Sequence, residues 1–63
     1  MNPTSREQDL IKDIIRKWKA IYRRQYGFHV PQMVIQKTIQ ELNNIGFMVS
    51  YEIVSKLYDD ILL

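Results

Sequence analysis

The sequence contains no cysteine, two glycines, two prolines and a single histidine, His29, among its 63 residues. Without cysteine the chain forms no disulfide, offers no thiolate nucleophile and builds no zinc site on cysteine ligands. His29 has no second histidine with which to complete another set of metal ligands. We therefore expect the protein to bind neither a metal ion nor a cofactor.

Long apolar runs are also missing. No stretch approaches the roughly 18 apolar residues of a membrane-spanning helix, and residues 1–6 lack the apolar core of a signal peptide. Apolar residues nevertheless make up 46% of the chain and charged residues 25%, which is typical of a globular protein. We expect one domain over residues 1–63, located in the cytoplasm, with residues 1–4 flexible and no membrane partner.

The few glycines and prolines divide the chain into three amphipathic segments, which predict an all-α, three-helix domain with a long N-terminal helix and two shorter ones. The first helix is expected from about Thr4 to Tyr26, the second from Pro31 to near Asn44, and the third after Ser50. Thr4 and Ser50 are suited to cap helix N-termini. Gly27 is suited to the positive φ that often ends a helix.

Apolar side chains recur at helical spacing in all three segments and predict the core. In the first helix they are Leu10, Ile11, Ile14, Ile15, Trp18, Ile21, Tyr22 and Tyr26. In the second they are Val34, Ile35, Thr38, Ile39 and Leu42. In the third they are Ile53, Val54, Leu57, Tyr58, Ile61 and Leu62.

Charge is unevenly distributed along the chain. Residues 1–30 hold seven basic and three acidic residues, whereas residues 31–63 hold two basic and four acidic ones. The basic residues of the first helix recur almost in one row, opposite its apolar arc, where they could contact phosphates or form a solvated face. The candidate nucleic-acid contacts are Lys12, Arg16, Lys19, Arg23 and Arg24.

Aromatic residues lie close to this basic row, and base stacking on aromatics is common in single-strand binders. Helical geometry places Trp18 on the core arc, far from the centre of the row, so Tyr22 and Tyr26 are the better candidates for stacking. A helix-turn-helix interpretation is weaker, because the third helix would turn Glu52, Asp59 and other carboxylates towards the phosphates.

A protein-binding surface is predicted on the second helix, whose outer face is rich in amides and nearly uncharged. Met33 is an apolar side chain among these polar residues, so it needs a partner or must fold back on the preceding loop. The chain ends in two leucines without a polar tail. The candidate partner contacts are Met33, Gln36, Gln40, Leu62 and Leu63.

Catalysis is not expected from this sequence. The neighbours Asp59 and Asp60 point about 100° apart on a helix, so they form no paired-carboxylate site. The chain has no glycine-rich phosphate loop and no serine elbow motif. Ser50 is better explained as a helix cap, and His29 as a packed or hydrogen-bonded loop residue.

One stretch resembles a known kind of domain. The pattern of Leu10 and Ile11 followed by Trp18, Tyr22, Tyr26-Gly27-Phe28 and Pro31 is similar to small helical domains of phage and plasmid replication accessory proteins. The resemblance implies three helices and a role beside a replication or transcription machine. It implies no functional residues, because the matching positions belong to the core and the turn.

These observations together predict a small non-enzymatic accessory or regulatory module, of phage or plasmid type, that binds a protein partner. The alternative is a nucleic-acid-binding protein that contacts phosphates through the basic face of its first helix. Because this helix is long enough for its ends to overhang the other two, a homodimer is a further alternative.

Overall fold

The computed structural model describes residues 3–62, except for the side chain of Leu62. It contains three helices, α1 (Ser5–Tyr26), α2 (Pro31–Asn44) and α3 (Tyr51–Leu62). Each helix contacts both of the others. The expected all-α, three-helix fold with one long and two shorter helices is confirmed, and no strand occurs within the described residues. None of these helices is long and apolar enough to cross a membrane.

The helix boundaries follow from local chemistry. Thr4 and Glu7 form a reciprocal capping box. The Thr4 side chain accepts from the Glu7 backbone N–H, and the Glu7 carboxylate accepts from the Thr4 backbone N–H. Gly27 ends α1 in the left-handed region with φ of 81°. Pro31 occupies the first turn of α2, where its missing N–H costs no hydrogen bond. The Ser50 hydroxyl accepts from the Ile53 backbone N–H and caps α3.

The core lies where the three helices meet. Its fully or nearly buried apolar side chains are Ile11, Ile14, Ile15, Tyr22, Val34, Ile35, Leu42, Val54, Leu57 and Tyr58. The one buried polar side chain among the described residues, Thr38, donates to the Val34 carbonyl oxygen at 2.8 Å. Trp18 is half-buried and packs against this core, as the helical geometry predicted.

Three side chains predicted for the core of α1 are exposed instead. Leu10 is 40% exposed, Ile21 38% and Tyr26 57%. The predicted apolar arc is wide, and two shorter helices cover only its central part, so these positions remain open. The prediction was therefore wrong for Leu10, Ile21 and Tyr26.

Candidate partner-binding surface

Met33, in the first turn of α2, lies between two neighbouring cavities and contributes to both. Its side chain is 44% exposed. Tyr22 on α1 also lines both cavities, so the two spaces lie side by side with a shared wall, and the pair together is the depression. Met33 lines one cavity together with Phe28 and Val30 of the preceding loop.

The larger cavity is an open groove of about 610 Å³ along α2. The groove contains three of the five predicted partner contacts, Met33, Gln36 and Gln40. Spacings of three and four residues bring these side chains onto one helix face. The remaining lining residues are Tyr22, Lys37, Ile39, Asn43 and Asn44, so the groove combines apolar side chains with amides and one cation.

The smaller cavity lies at the turn between α1 and α2 and has a volume of about 190 Å³. Its lining is almost entirely apolar or aromatic: Tyr22, Tyr26, Phe28, His29, Val30 and Met33. Phe28 is 64% exposed although it is among the largest apolar residues of the chain. Several large apolar side chains exposed side by side are typical of a surface that contacts another molecule.

Sequence reasoning missed the contribution of Phe28, Val30 and Tyr26 to this surface. The two residues of the loop follow no helical period, so the sequence pattern could not tell whether they are buried. The sequence feature that could have indicated this exposure is Gly27, which adopts a left-handed backbone conformation and ends α1. The residues after it therefore lie outside the packed helices. A large aromatic directly after such a glycine is a candidate surface residue.

His29 ties the loop at this cavity to the third helix. Its Nε2 and the Tyr58 hydroxyl are joined by a hydrogen bond of 2.7 Å. Burial lowers the pKa of His29, and the nearby charges of Lys19 and Arg23 lower it further. Burial also raises the pKa of Tyr58, with a smaller contribution from Asp59. The expected role of His29 as a hydrogen-bonded loop residue is confirmed.

The remaining predicted partner contacts are at the C-terminus. The Leu62 side chain and the whole of Leu63 lie outside the described residues, so their role as partner contacts stays a prediction.

A second exposed apolar group lies on the connection between α2 and α3. Ile45 is 64% exposed and Met48 is 78% exposed. They line an open cleft with Phe47 and Val49, which are half-buried, and with Pro3 near the start of α1. Met48 provides a second exposed methionine away from the α2 groove.

Within the predicted basic row of α1, Lys19 lies against α3. Arg16 forms an ion pair of 3.1 Å with Asp13, and the Lys19 ammonium lies 5.4 Å from the centre of the Tyr58 ring. Lys12 is half-buried, whereas Arg23 and Arg24 are exposed. Within the described residues, Lys12, Lys19, Arg23 and Arg24 form no ion pair with a carboxylate.

The two tyrosines that were predicted to stack on bases differ in exposure. Tyr22 is only 8% exposed, so its predicted suitability for base stacking was wrong. Tyr26 is exposed, and its ring stacks on that of Tyr22 with 6.1 Å between centroids. The reason is that Tyr22 belongs to the buried core, whereas Tyr26 lines the open cavity at the turn between α1 and α2.

No group of three or more potential metal ligands lies together within residues 3–62. Comparison with known proteins gives no further guidance, because no protein family model, no curated protein and no solved structure matches the chain significantly.

Proposed function

We propose that the protein is a non-enzymatic binding module that docks a protein partner in the α2 groove and the adjoining apolar cavity. The observation that supports this proposal is the shared wall of the two cavities, formed by Tyr22 and Met33. An apolar anchor beside a polar groove is the arrangement found in many small helical domains that bind a partner segment.

The chemistry of the surface agrees with this proposal. Tyrosine, phenylalanine and methionine are enriched at the centres of protein interfaces, and here Tyr26, Phe28 and Met33 lie next to one another. The amides of Gln36 and Gln40 can donate and accept hydrogen bonds at the rim. The module would act in the cytoplasm, beside a replication or transcription machine of phage or plasmid type.

The proposal is tested by selecting partners from a displayed library of random 12-residue peptides. Each selected peptide is then measured against the natural chain, Met33→Gln and Met48→Gln by fluorescence anisotropy. Met33→Gln should weaken binding at least tenfold, because replacing a hot-spot residue costs about 2 kcal/mol or more and about 1.4 kcal/mol is already tenfold. Met48→Gln is the matched control and should leave binding unchanged.

Circular dichroism and thermal melting establish that both variants keep the fold, which is expected because both methionines are exposed. A selection in which every peptide binds Met33→Gln as tightly as the natural chain would contradict the proposed surface. A library that yields no binder at all would also contradict it. Leu62→Gln with Leu63→Gln tests the C-terminal part of the prediction in the same assay.

A second candidate function is phosphate binding through α1. The observation that favours it is that four of its five candidate cations form no ion pair within the described residues. Changing Arg16, Lys19 and Arg23 to glutamine should then weaken binding to short DNA or RNA equally for all sequences. The dependence of binding on salt should also become shallower. A sequence-selective loss would contradict phosphate binding through α1.

The homodimer is a separate alternative, and sedimentation at several protein concentrations tests it.

A further inference from the structure

We propose that the partner segment is acidic and amphipathic, with one large apolar side chain in the cavity at Phe28 and carboxylates facing the cations at its two sides. This inference rests on the proposed function and specifies the chemistry of the occupant.

The depression contains no negative charge of its own. Neither of its two cavities is lined by a carboxylate, and Lys37 is the only permanently charged side chain that lines them. The single acidic residue of α2, Glu41, does not line the depression, and its carboxylate already accepts from Lys17 at 2.5 Å and from the Trp18 indole at 3.1 Å. A carboxylate of the partner would therefore meet no carboxylate in the lining of the depression.

The cation of the groove is available for a partner. The Lys37 side chain is exposed and forms no ion pair within residues 3–62. Its ammonium lies 5.5 Å from the centre of the Trp18 ring, a weak contact that leaves its hydrogen-bond donors unused. A basic partner could form no ion pair with Lys37 and would be repelled by it, because both carry positive charge.

A second cation lies near the apolar end of the depression. The Lys19 ammonium is 5.4 Å from the centre of the Tyr58 ring, and the Tyr58 hydroxyl is hydrogen-bonded to His29, which lines the cavity. Besides burial, the charges of Lys19 and Arg23 lower the pKa of His29. Arg23 is exposed and forms no ion pair in the described part of the chain. Cations therefore lie at both parts of the depression, with Lys37 in the groove and Lys19 near the apolar cavity.

The shapes of the two parts determine how such a segment would lie. The smaller cavity, at about 190 Å³, holds a single large apolar side chain rather than a row of them. The groove follows α2 from Met33 to Asn44, which corresponds to roughly 16 Å of helix axis. An extended stretch of five residues or three turns of helix covers this length. The amides along it suit a partner with polar groups between its apolar and acidic residues.

A nucleic acid is a poorer fit to this depression. Phosphate chains are held by rows of cations, whereas the groove offers Lys37 alone among amides. A phosphate that entered the apolar cavity would lose its hydration without gaining a cation in the cavity lining. Nucleic-acid binding is thus an outcome of the test rather than the proposal.

The test uses the peptides from the 12-residue library whose binding depends on Met33. Their composition is compared with that of the unselected library. Two charge reversals are then measured at low and at near-physiological salt. Lys37→Glu changes the cation of the groove, and Lys56→Glu changes an exposed lysine on α3 that lies outside it.

We expect the Met33-dependent peptides to be enriched in aspartate or glutamate and to contain a phenylalanine, tryptophan or leucine. Lys37→Glu should weaken their binding about three- to tenfold at low salt, with a smaller effect at higher salt, while Lys56→Glu changes it less than twofold. Replacing the apolar residue of a peptide with serine should abolish binding.

The possible failures are distinguishable. Met33-dependent peptides that are neutral or basic, or that bind Lys37→Glu unchanged, would overturn the acidic occupant and leave the proposed function standing. The absence of any Met33-dependent peptide would overturn both. A short single-stranded DNA that competes with the peptides and is sensitive to Met33→Gln would show that the depression takes nucleic acid, which also overturns the inference.

Discussion

The Trp18 indole donates a hydrogen bond of 3.1 Å to the Glu41 carboxylate, joining α1 to α2. The same carboxylate oxygen accepts from the Lys17 ammonium. Lys17 and Lys37 lie 5.2 and 5.5 Å from the centre of the Trp18 ring, so two cations flank the indole. The half-buried tryptophan thus contributes both packing and a polar link between the two helices.

Glu41→Ala should destabilise the fold by about 1 kcal/mol, because the indole N–H and Lys17 both lose their acceptor. Glu41→Gln should cost about half of that, since an amide oxygen can still accept from Trp18 while a partly exposed ion pair contributes little. Urea unfolding followed by circular dichroism gives these values. Equal losses for the two variants would contradict the importance of the indole hydrogen bond.

Glu41 also predicts a pH dependence in acid. The Lys17 hydrogen bond holds the pKa of Glu41 below its ordinary value. The ionised Glu41 carboxylate therefore adds to the free energy of unfolding above the unfolded pKa of about 4.3. This stabilisation is lost as the pH falls through the lower pKa of the folded protein. The unfolding free energy of Glu41→Gln should consequently decrease less between pH 5 and pH 3 than that of the natural chain. Parallel decreases would contradict this assignment.

His29 predicts a second pH dependence, nearer neutrality. Its pKa is lowered in the folded protein by burial and by Lys19 and Arg23. The unfolded chain therefore binds the proton more readily, so stability should fall as the pH drops below about 6.5 and level off below the folded pKa. Urea unfolding between pH 7.5 and pH 5 measures the slope.

The control for this prediction is His29→Gln, which keeps a polar side chain but does not titrate. Its unfolding free energy should be nearly constant over the same range. Tyr58→Phe removes the other half of the 2.7 Å hydrogen bond and should lower stability at pH 7.5. A slope that persists in His29→Gln would show that another group is responsible.

The capping box at Thr4 should stabilise α1 measurably. Thr4→Ala removes the acceptor of the Glu7 backbone N–H and should cost about 1 kcal/mol. Ser5→Ala is a matched control, because Ser5 lies one position inside the helix, where alanine has the better helix propensity. Thermal unfolding of the two variants compares them. A larger loss from Ser5→Ala would place the cap elsewhere.

Gly27 tests backbone strain separately from packing. A Cβ at this position meets nothing within 4 Å, so the cost of Gly27→Ala is expected from its φ of 81° alone, about 1 kcal/mol. Replacing Gly27 with D-alanine by chemical synthesis should instead leave stability unchanged or raise it, since positive φ suits the D residue. Losses of equal size from both would indicate a steric contact rather than strain.

The sequence predicted the helices well because their ends depend on local chemistry. Thr4, Gly27 and Pro31 act through their own backbone preferences, which neighbouring residues change little. Met33, Gln36 and Gln40 could be grouped for the same reason, since helical spacing alone brings them to one face. The cation of this groove, Lys37, was not predicted as part of it.

The rest of the surface depends on how the helices pack, which the sequence pattern does not contain. Leu10 and Ile21 lie on the apolar arc of α1, yet their burial depends on how far α2 and α3 extend over it. Phe28 follows no periodic pattern, and its exposure depends on where Gly27 directs the chain. Tertiary geometry therefore explains both the errors in the core and the missed half of the candidate site.

The short connections at residues 27–30 and 45–50 also bear on how fast the chain folds. Each helix packs on the one that precedes it in sequence, so two of the three helix interfaces form without closing a long loop. Domains with such local contacts fold in microseconds to milliseconds. Trp18 lies against α2 and would report the first of these encounters, which makes the natural chain its own probe for temperature-jump kinetics.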